Sequence, residues 1–271
     1  MVKIWQFILL TLNLFFGTSY QLIAQPSIQR IDSLRVDATE IFTDHLNHVY
    51  LLTHDGTLSR RNEKLQPDYV YSKVDFGIPD DVDLTNPLHS LVFYKSFQQI
   101  IILDNQLSAI GSLDLAKAGL FDVSAVCYAD DNSVWVFDHA LRKLVKLNNS
   151  GQIEQESIDI GLLGIEVNII KIVQRNDEVY ALDPDKGIFR FDRYASYNNL
   201  IPIKHIDDFW IDQDRLILLK NNQLNRLNLL TSVQDIMPFD EINIDFKDIA
   251  IEADRLWVLY KGYLLQFQLT W

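Results

Sequence analysis

A chain of 271 residues that is 48% hydrophobic and 11% aromatic carries ample material for a packed core, and a 23% charged fraction excludes a globally disordered polymer. The formal net charge of −13 repels nucleic-acid phosphates and anionic lipid, and no basic run of five or more residues overrides that repulsion. The single cysteine, Cys127, excludes an internal disulfide; within "AVCYA" it reads as a small buried hydrophobe.

Residues 1–24 stand apart from the rest. Lys3 supplies one positive charge, and "IWQFILLTLNLFF" is an apolar run interrupted by Gln6, Thr11 and Asn13. "GTSYQLIA" then leads to the small residue Ala24. This is the layout of a secretory signal peptide with cleavage near Ala24–Gln25. The apolar block is shorter and more polar than the roughly 20 apolar residues that span a bilayer, and no cysteine near the junction offers a lipid anchor. The expected mature chain, residues 25–271, is one domain without a transmembrane anchor, destined for the periplasm, the cell surface or secretion. Loss of Lys3 takes its net charge from −13 to −14.

The mature chain is periodic. "DFWIDQDRLILL" (Asp208 to Leu219) returns as "DIAIEADRLWVL" (Asp248 to Leu259). Weaker copies follow an apolar anchor: "VYLL" at Val49, "IIIL" at Ile100, "VWVF" at Val134, "VYAL" at Val179, "LILL" at Leu216 and "LWVL" at Leu256. The intervals are 51, 34, 45, 37 and 40 residues, the spacing of propeller blades. Each repeat opens on an apolar strand: "EIFT", "LVFY", "AVCYA", "IIKIV", "FWI" or "IAI". An Asp/Asn-rich turn follows, because those side chains bond nearby backbone, and then the anchor strand, rich in β-branched and aromatic residues. A third strand alternates cleanly, as in "KLVKLN", "GIFRFD" and "QLNRLN". A weaker fourth segment completes the unit. Six repeats of four antiparallel strands predict an all-β, six-bladed β-propeller. "FGIPDDVDLTNPLHS" is expected to be an extended loop, and "SLDLAKAGLFDV" to cap a connection between blades. The sixth repeat stops one strand short at Trp271, while "SIQRIDSLRV" (Ser27–Val36) supplies a spare alternating strand. Pairing the two closes the ring and removes its exposed edges.

The repeated phrase, an Asp followed by alternating apolar residues, an acidic turn and Arg-Leu, resembles that of bacterial secreted six-bladed propellers of the TolB-like and NHL-like superfamily. The Gly-His and Trp-Asp signature of WD40 repeats is missing. The resemblance implies a fold and is nearly silent on activity. Some secreted propellers of this shape are calcium-dependent lactonases, but their Glu–Asn–Asp set does not map onto particular residues of this sequence.

Propellers place ligands at the mouth of the central channel, on loops that lead into the innermost strands. Asp37, His89, Asp122, Asn168, Asp207, Asp208 and Asp248 precede or open the predicted inner strands. An acidic ring of this kind offers oxygen ligands to a divalent cation such as calcium. The alternative is that these carboxylates bond backbone amides and fix the blade entrances. "DPDKG" (Asp183–Gly187) lacks the later ligands of a calcium loop and is predicted to be a β-turn. His45, His48 and His54 are expected near one end of a blade, in turns and without a zinc motif. Tyr94, Phe97, Tyr194 and Tyr197 are candidate surface aromatics for peptide, protein or glycan recognition. No nucleophile elbow, dinucleotide fingerprint or phosphate loop occurs, so no catalytic residue or cofactor is assigned. The expected function is a non-catalytic protein- or peptide-recognition module of the cell envelope. A metal-dependent, hydrolase-like enzyme and a carbohydrate-binding sensor are the alternatives.

Overall fold

Short runs of β-branched and aromatic residues, broken every few positions by Asp, Asn and Gly, fold as the repeat predicts. The computed structural model of the chain describes residues 26–62, 65–86, 88–237 and 246–271. The expected leader, residues 1–24, lies outside them. β1 (Ser27–Arg35) precedes blade 1, which comprises β2 (Glu40–Thr43), β3 (Val49–Leu52), β4 (Leu58–Arg61) and β5 (Pro67–Tyr71). Blade 2 comprises β6 (Asp81–Asp83), β7 (His89–Tyr94), β8 (Gln99–Asp104) and β9 (Ala109–Asp114). Blade 3 comprises β10 (Val123–Tyr128), β11 (Val134–Asp138), β12 (Lys143–Leu147) and β13 (Ile153–Glu156). Blade 4 comprises β14 (Lys171–Arg175), β15 (Glu178–Asp183), β16 (Gly187–Asp192) and β17 (Tyr197–Ile201). Blade 5 comprises β18 (Asp208–Asp212), β19 (Arg215–Lys220), β20 (Gln223–Asn228) and β21 (Gln234–Met237). Blade 6 comprises β22 (Asp248–Glu252), β23 (Arg255–Tyr260) and β24 (Tyr263–Thr270), with β1 as its fourth strand. The chain is a six-bladed β-propeller.

Among the described residues, helix is confined to single-turn 3-10 segments, and no helix is long and apolar enough to cross a membrane. The acidic turns work as expected of Asx chemistry. Asp104 accepts hydrogen bonds from the N–H groups of Gln106 and Ser108 (both 2.8 Å), and Asp192 from those of Tyr194 and Ser196 (2.8 and 2.9 Å).

The core is distributed rather than central. Buried side chains form six clusters, and each is shared by two neighbouring blades. Leu52, Leu58, Val92 and Leu103 join blades 1 and 2, and Phe93, Leu113, Val126 and Val136 join blades 2 and 3. Trp135, Phe137, Phe189 and Phe191 join blades 3 and 4 around Cys127, whose thiol pKa is pushed up by burial. Leu182, Ile188, Phe209 and Leu218 join blades 4 and 5, and Met237, Ile249, Val258 and Phe267 join blades 5 and 6. The sixth cluster, with Ile41 and Leu51 against Trp257 and Leu259, joins blade 6 to blade 1. A blade is therefore apolar on both faces, which is why its second strand reads as an unbroken apolar run rather than an alternation.

β1 pairs antiparallel with β24 from Ser27 opposite Thr270 to Arg35 opposite Tyr263, with one irregularity between Arg30 and Asp32. The strand taken from the start of the sequence thus completes the last blade and covers the edge of β24.

Blade 2 departs from the expected register. "LVFY" is not its inner strand but the second strand, β7, and "IIIL" is the third, β8. The inner strand, β6, is three residues long and lies inside the segment read as a loop. Its brevity is the reason it was missed, since only Val82 reaches the core between two carboxylates. Anchored at Leu91, the intervals to Val49 and Val134 become 42 and 43 residues, so the apparent irregularity of the repeat disappears.

Removing Pro26–Val36 uncovers the whole β24 edge and its backbone hydrogen bonds. The truncated protein is expected to lose at least about 3 kcal/mol of stability and to aggregate through the open strand. A synthetic peptide of that segment, added in trans, is expected to raise its melting temperature in a concentration-dependent way. A truncated protein that melts like the full chain and ignores the peptide refutes the closure role of β1.

Candidate functional site

The inner strands of the blades begin at one height, fixed by a repeated backbone hydrogen bond. The N–H groups of Thr39, Asp80, Ile170, Asp207 and Lys247 donate to the carbonyls of Leu52, Phe93, Leu182, Leu219 and Leu259 at 2.7–2.9 Å. The residues that follow are Glu40, Asp81, Lys171, Asp208 and Asp248. In blade 3 an irregularity between Val123 and Ala125 brings Ser124 to the same level. All six line a cavity of about 520 Å³ enclosed by the inner strands, within the usual size range of ligand pockets. Two residues further along lie Phe42, Asp83, Val173, Trp210 and Ala250, and the far end carries His45, Arg175, Asp212 and Glu252.

Among the described residues the lining holds eight carboxylates against Lys95, Lys171 and Arg175, so the channel is acidic. Several of its groups tie one blade to the next. Asp248 accepts hydrogen bonds from the N–H of Ile41 (2.7 Å), across the junction with blade 1, and from its own neighbour Ile249 (2.8 Å). Asp83 accepts from the N–H of Tyr128 in blade 3 (2.5 Å), and the Ser124 hydroxyl donates to the Ile169 carbonyl at the entrance to blade 4 (2.7 Å). Lys171 Nζ meets Asp208 Oδ1 at 2.6 Å, from blade 4 to blade 5. Among the described residues, Glu40, Asp81, Asp83 and Asp248 form no ion pair.

Burial in the channel wall pushes the Asp81 carboxyl up to about 7; Lys171 pulls it down, while Asp83 and Asp208 push further upward. Burial likewise raises Asp248 to about 7, opposed by its two amide donors and assisted by Glu40 and Asp208. Burial also raises the pKa values of Asp83 and Glu40, and of Glu252 at the far end, where His45 and Arg175 oppose the shift. Among the described residues no group of three His, Cys, Asp or Glu side chains is arranged to hold a metal ion together.

Of the residues singled out in the sequence, Asn168, Asp208 and Asp248 line the cavity. Asp37, Asp122 and Asp207 lie on the same face of the disc but outside the cavity lining. Asp37 is exposed, with Oδ2 4.0 Å from His54 Nδ1; the Asp122 carbonyl accepts from His139 N–H (2.9 Å); and Asp207 accepts from Asn221 N–H (3.1 Å). His89 does not belong to the channel entrance. It opens β7 at the opposite face, its ring 6.3 Å from that of Tyr128, a consequence of the shifted register of blade 2. The same correction brings in Asp80, Asp81 and Asp83, which sequence reasoning missed. His45 and His48 lie in the turn before β3 and His54 in the turn after it, so the three do not gather at one end of the blade. Asp183 bonds the N–H groups of Asp185 and Lys186 (2.9 and 3.0 Å) as the expected β-turn.

Two of the four aromatic candidates are at the surface. Phe97 is half exposed and stacks on Phe76, with ring centroids 4.9 Å apart, and Tyr194 is exposed beside Arg193. Tyr94 is buried in the core between blades 1 and 2, its hydroxyl 3.3 Å from that of Tyr71. Tyr197 is half-buried against Phe189 and Phe191. Both occupy the apolar space between sheets that blade packing must fill.

No protein-family model and no curated protein matches the sequence. The fold matches solved structures over nearly its whole length. Virginiamycin B lyase from Staphylococcus aureus is 12% identical, with 91% of this chain and 100% of that one covered at a TM-score of 0.61. BamB from Moraxella catarrhalis is 14% identical, with 85% and 72% covered at 0.51, and a chain of a mitotic checkpoint complex is 9% identical, with 93% and 95% covered at 0.60. Identities this low establish the propeller fold alone. A lyase and a member of a multiprotein complex share it, so the fold does not choose between catalysis and assembly.

The raised Asp81 pKa has a signed consequence. Between about pH 4 and pH 7 the folded state holds a proton at Asp81 that the unfolded chain has released, so stability falls as pH rises through that window. Asp81→Asn keeps an acceptor for the Val82 N–H (2.8 Å) and removes the charge. Its melting temperature is expected to exceed wild type by about 2–4 °C at pH 8 and to match it at pH 4. An equal shift at both pH values contradicts the assignment.

Proposed function

We propose that this chain is an exported, non-catalytic propeller that recognises a protein or peptide partner in the cell envelope, and that it docks that partner on the face where the chain enters the inner strands. The observation that carries this reading is an apolar crescent on blades 2 to 4. The loop leading into blade 2 exposes Val74 (87%) and Ile78, and the loop into blade 3 exposes Phe121 (71%). The loop into blade 4 exposes Ile158, Leu162 (79%), Leu163 and Ile170. Turns on the same face add Phe97 and Leu141. Exposed apolar residues scattered singly need no explanation, but their concentration on the loops of one face favours an interaction surface there.

These loops are held, not loose. Leu115 and Leu120 in the loop into blade 3 and Ile160 in the loop into blade 4 are fully buried between blades, Phe76 in the loop into blade 2 packs partly buried against the core, and each connection contains a 3-10 turn. The buried residues anchor the loops, so the exposed ones are surplus to folding. A rigid presentation of this kind suits protein recognition, in which large apolar anchors on a preorganised surface supply most of the affinity. The apolar leader supports export.

Replacing Val74, Phe121 and Leu162 together with Asp is expected to leave the melting temperature nearly unchanged, because none of the three is packed in the core. The same variant is expected to lose, by about tenfold or more, the partner that the wild-type protein retains from a native envelope extract. Full retention by a folded triple variant overturns this choice of docking face.

A further inference from the structure

Resting on that docking reading, we infer that the partner is a polypeptide segment that seats large apolar side chains on the crescent and lodges a lysine or arginine side chain in the mouth of the channel. Three observations support it. The crescent runs directly into the cavity, because Ile170 is exposed at the rim and also lines the channel beside Lys171. The mouth is rich in carboxyl groups without a cationic partner: among the described residues Glu40, Asp81 and Asp248 at the entrance and Asp83 further along form no ion pair, whereas Lys171 is already bonded to Asp208. The cavity, about 520 Å³, is large enough to admit side chains but is enclosed by strands rather than by movable loops.

The sign of the charge excludes other occupants. A phosphorylated or acidic segment meets eight carboxylates against three cationic side chains in the lining, and an anionic membrane meets the same repulsion. A bare divalent ion lacks a set of ligands, since no three acidic or histidine side chains converge among the described residues. A cationic side chain on a long apolar stem suits the site better. Its stem covers apolar wall such as Phe42, Val173 and Trp210 while its head reaches the carboxylates. Trp210 already has the Lys171 ammonium 5.2 Å from its ring, which shows that a cation is accommodated beside this wall.

The test uses the chain without its leader and a phage-displayed library of random dodecapeptides. Selected peptides are expected to carry Lys or Arg flanked by large apolar residues. Selection of acidic or uncharged sequences, or no enrichment, overturns the inference. For the synthetic consensus peptide, changing its cationic residue to norleucine is expected to weaken binding about tenfold or more. The Glu40→Gln/Asp81→Asn protein is expected to show a similar loss for the unmodified peptide, and little further loss for the norleucine version. Melting temperatures confirm that each variant is folded. Phe121→Ser/Leu162→Ser is expected to weaken both peptides alike. If the crescent variant loses binding and the channel variant does not, the cationic anchor is wrong and the docking face stands. If neither variant loses binding, both readings fail.

Discussion

Everything in this molecule depends on apolar surface shared between neighbouring sheets. A four-stranded blade buries nothing by itself, because both of its faces are apolar and its second strand, as in "VWVF", is buried along its length. Each blade therefore requires two neighbours, and only a closed ring supplies them to all six. The junction of blade 6 with blade 1 bears the consequence. Ile41, Leu51, Trp257 and Leu259 find partners there only because the ends of the repeat array meet. β1 secures that meeting by pairing along the whole outer edge of blade 6. Closure replaces the cross-links that a single-cysteine chain cannot form, and it converts a one-dimensional repeat into a disc with a defined axis.

The axis is where the ring meets its electrostatic cost. Inner strands that pack their apolar residues between blades leave the alternate positions on the channel, and here those positions are largely acidic. Several carboxylates lower that cost by accepting amide hydrogen bonds across blade junctions, as Asp248 does from Ile41 and Asp83 from Tyr128. The structural role expected of such residues is therefore present at the channel. It does not account for Glu40 and Asp81, whose carboxylates bridge no junction by a hydrogen bond among the described residues and whose pKa values are raised by burial. Burial opposes the ionised form of both groups, so ionising either one costs stability.

The architecture was legible because the blades share one packing solution. Asp208 pairs with Leu219, and forty residues later Asp248 pairs with Leu259, so the repeated phrase is the same hairpin in the same register. Blade 2 was misread where that solution is compressed. Three residues, Asp81 to Asp83, carry no periodicity that distinguishes a strand from a turn. The error then propagated to the site, placing His89 at the channel mouth and concealing the carboxylates of β6. Much of the channel wall was missed for another reason. Its lining comes from positions within inner strands, such as Lys171, Val173 and Arg175, and not from the loops before them. Period-two spacing of polar residues in an otherwise apolar strand was the available signal.

Loop length separates what the fold needs from what it does not. The passage from blade 6 to blade 1 takes four residues, 36–39, and that from blade 4 to blade 5 takes six, 202–207. The same geometrical task occupies nine residues into blade 2 (72–80), eight into blade 3 (115–122) and fourteen into blade 4 (157–170). The short connections show that the extra residues are not required to step from one sheet to the next. Yet each of the three contains a 3-10 turn, those into blades 3 and 4 are also anchored by buried Leu115, Leu120 and Ile160, and together they expose Val74, Phe121 and Leu162 on one side of the disc. Length, order and exposed apolar surface coincide on these three connections. The added length therefore lies on the face where the chain enters the inner strands and the acidic channel opens.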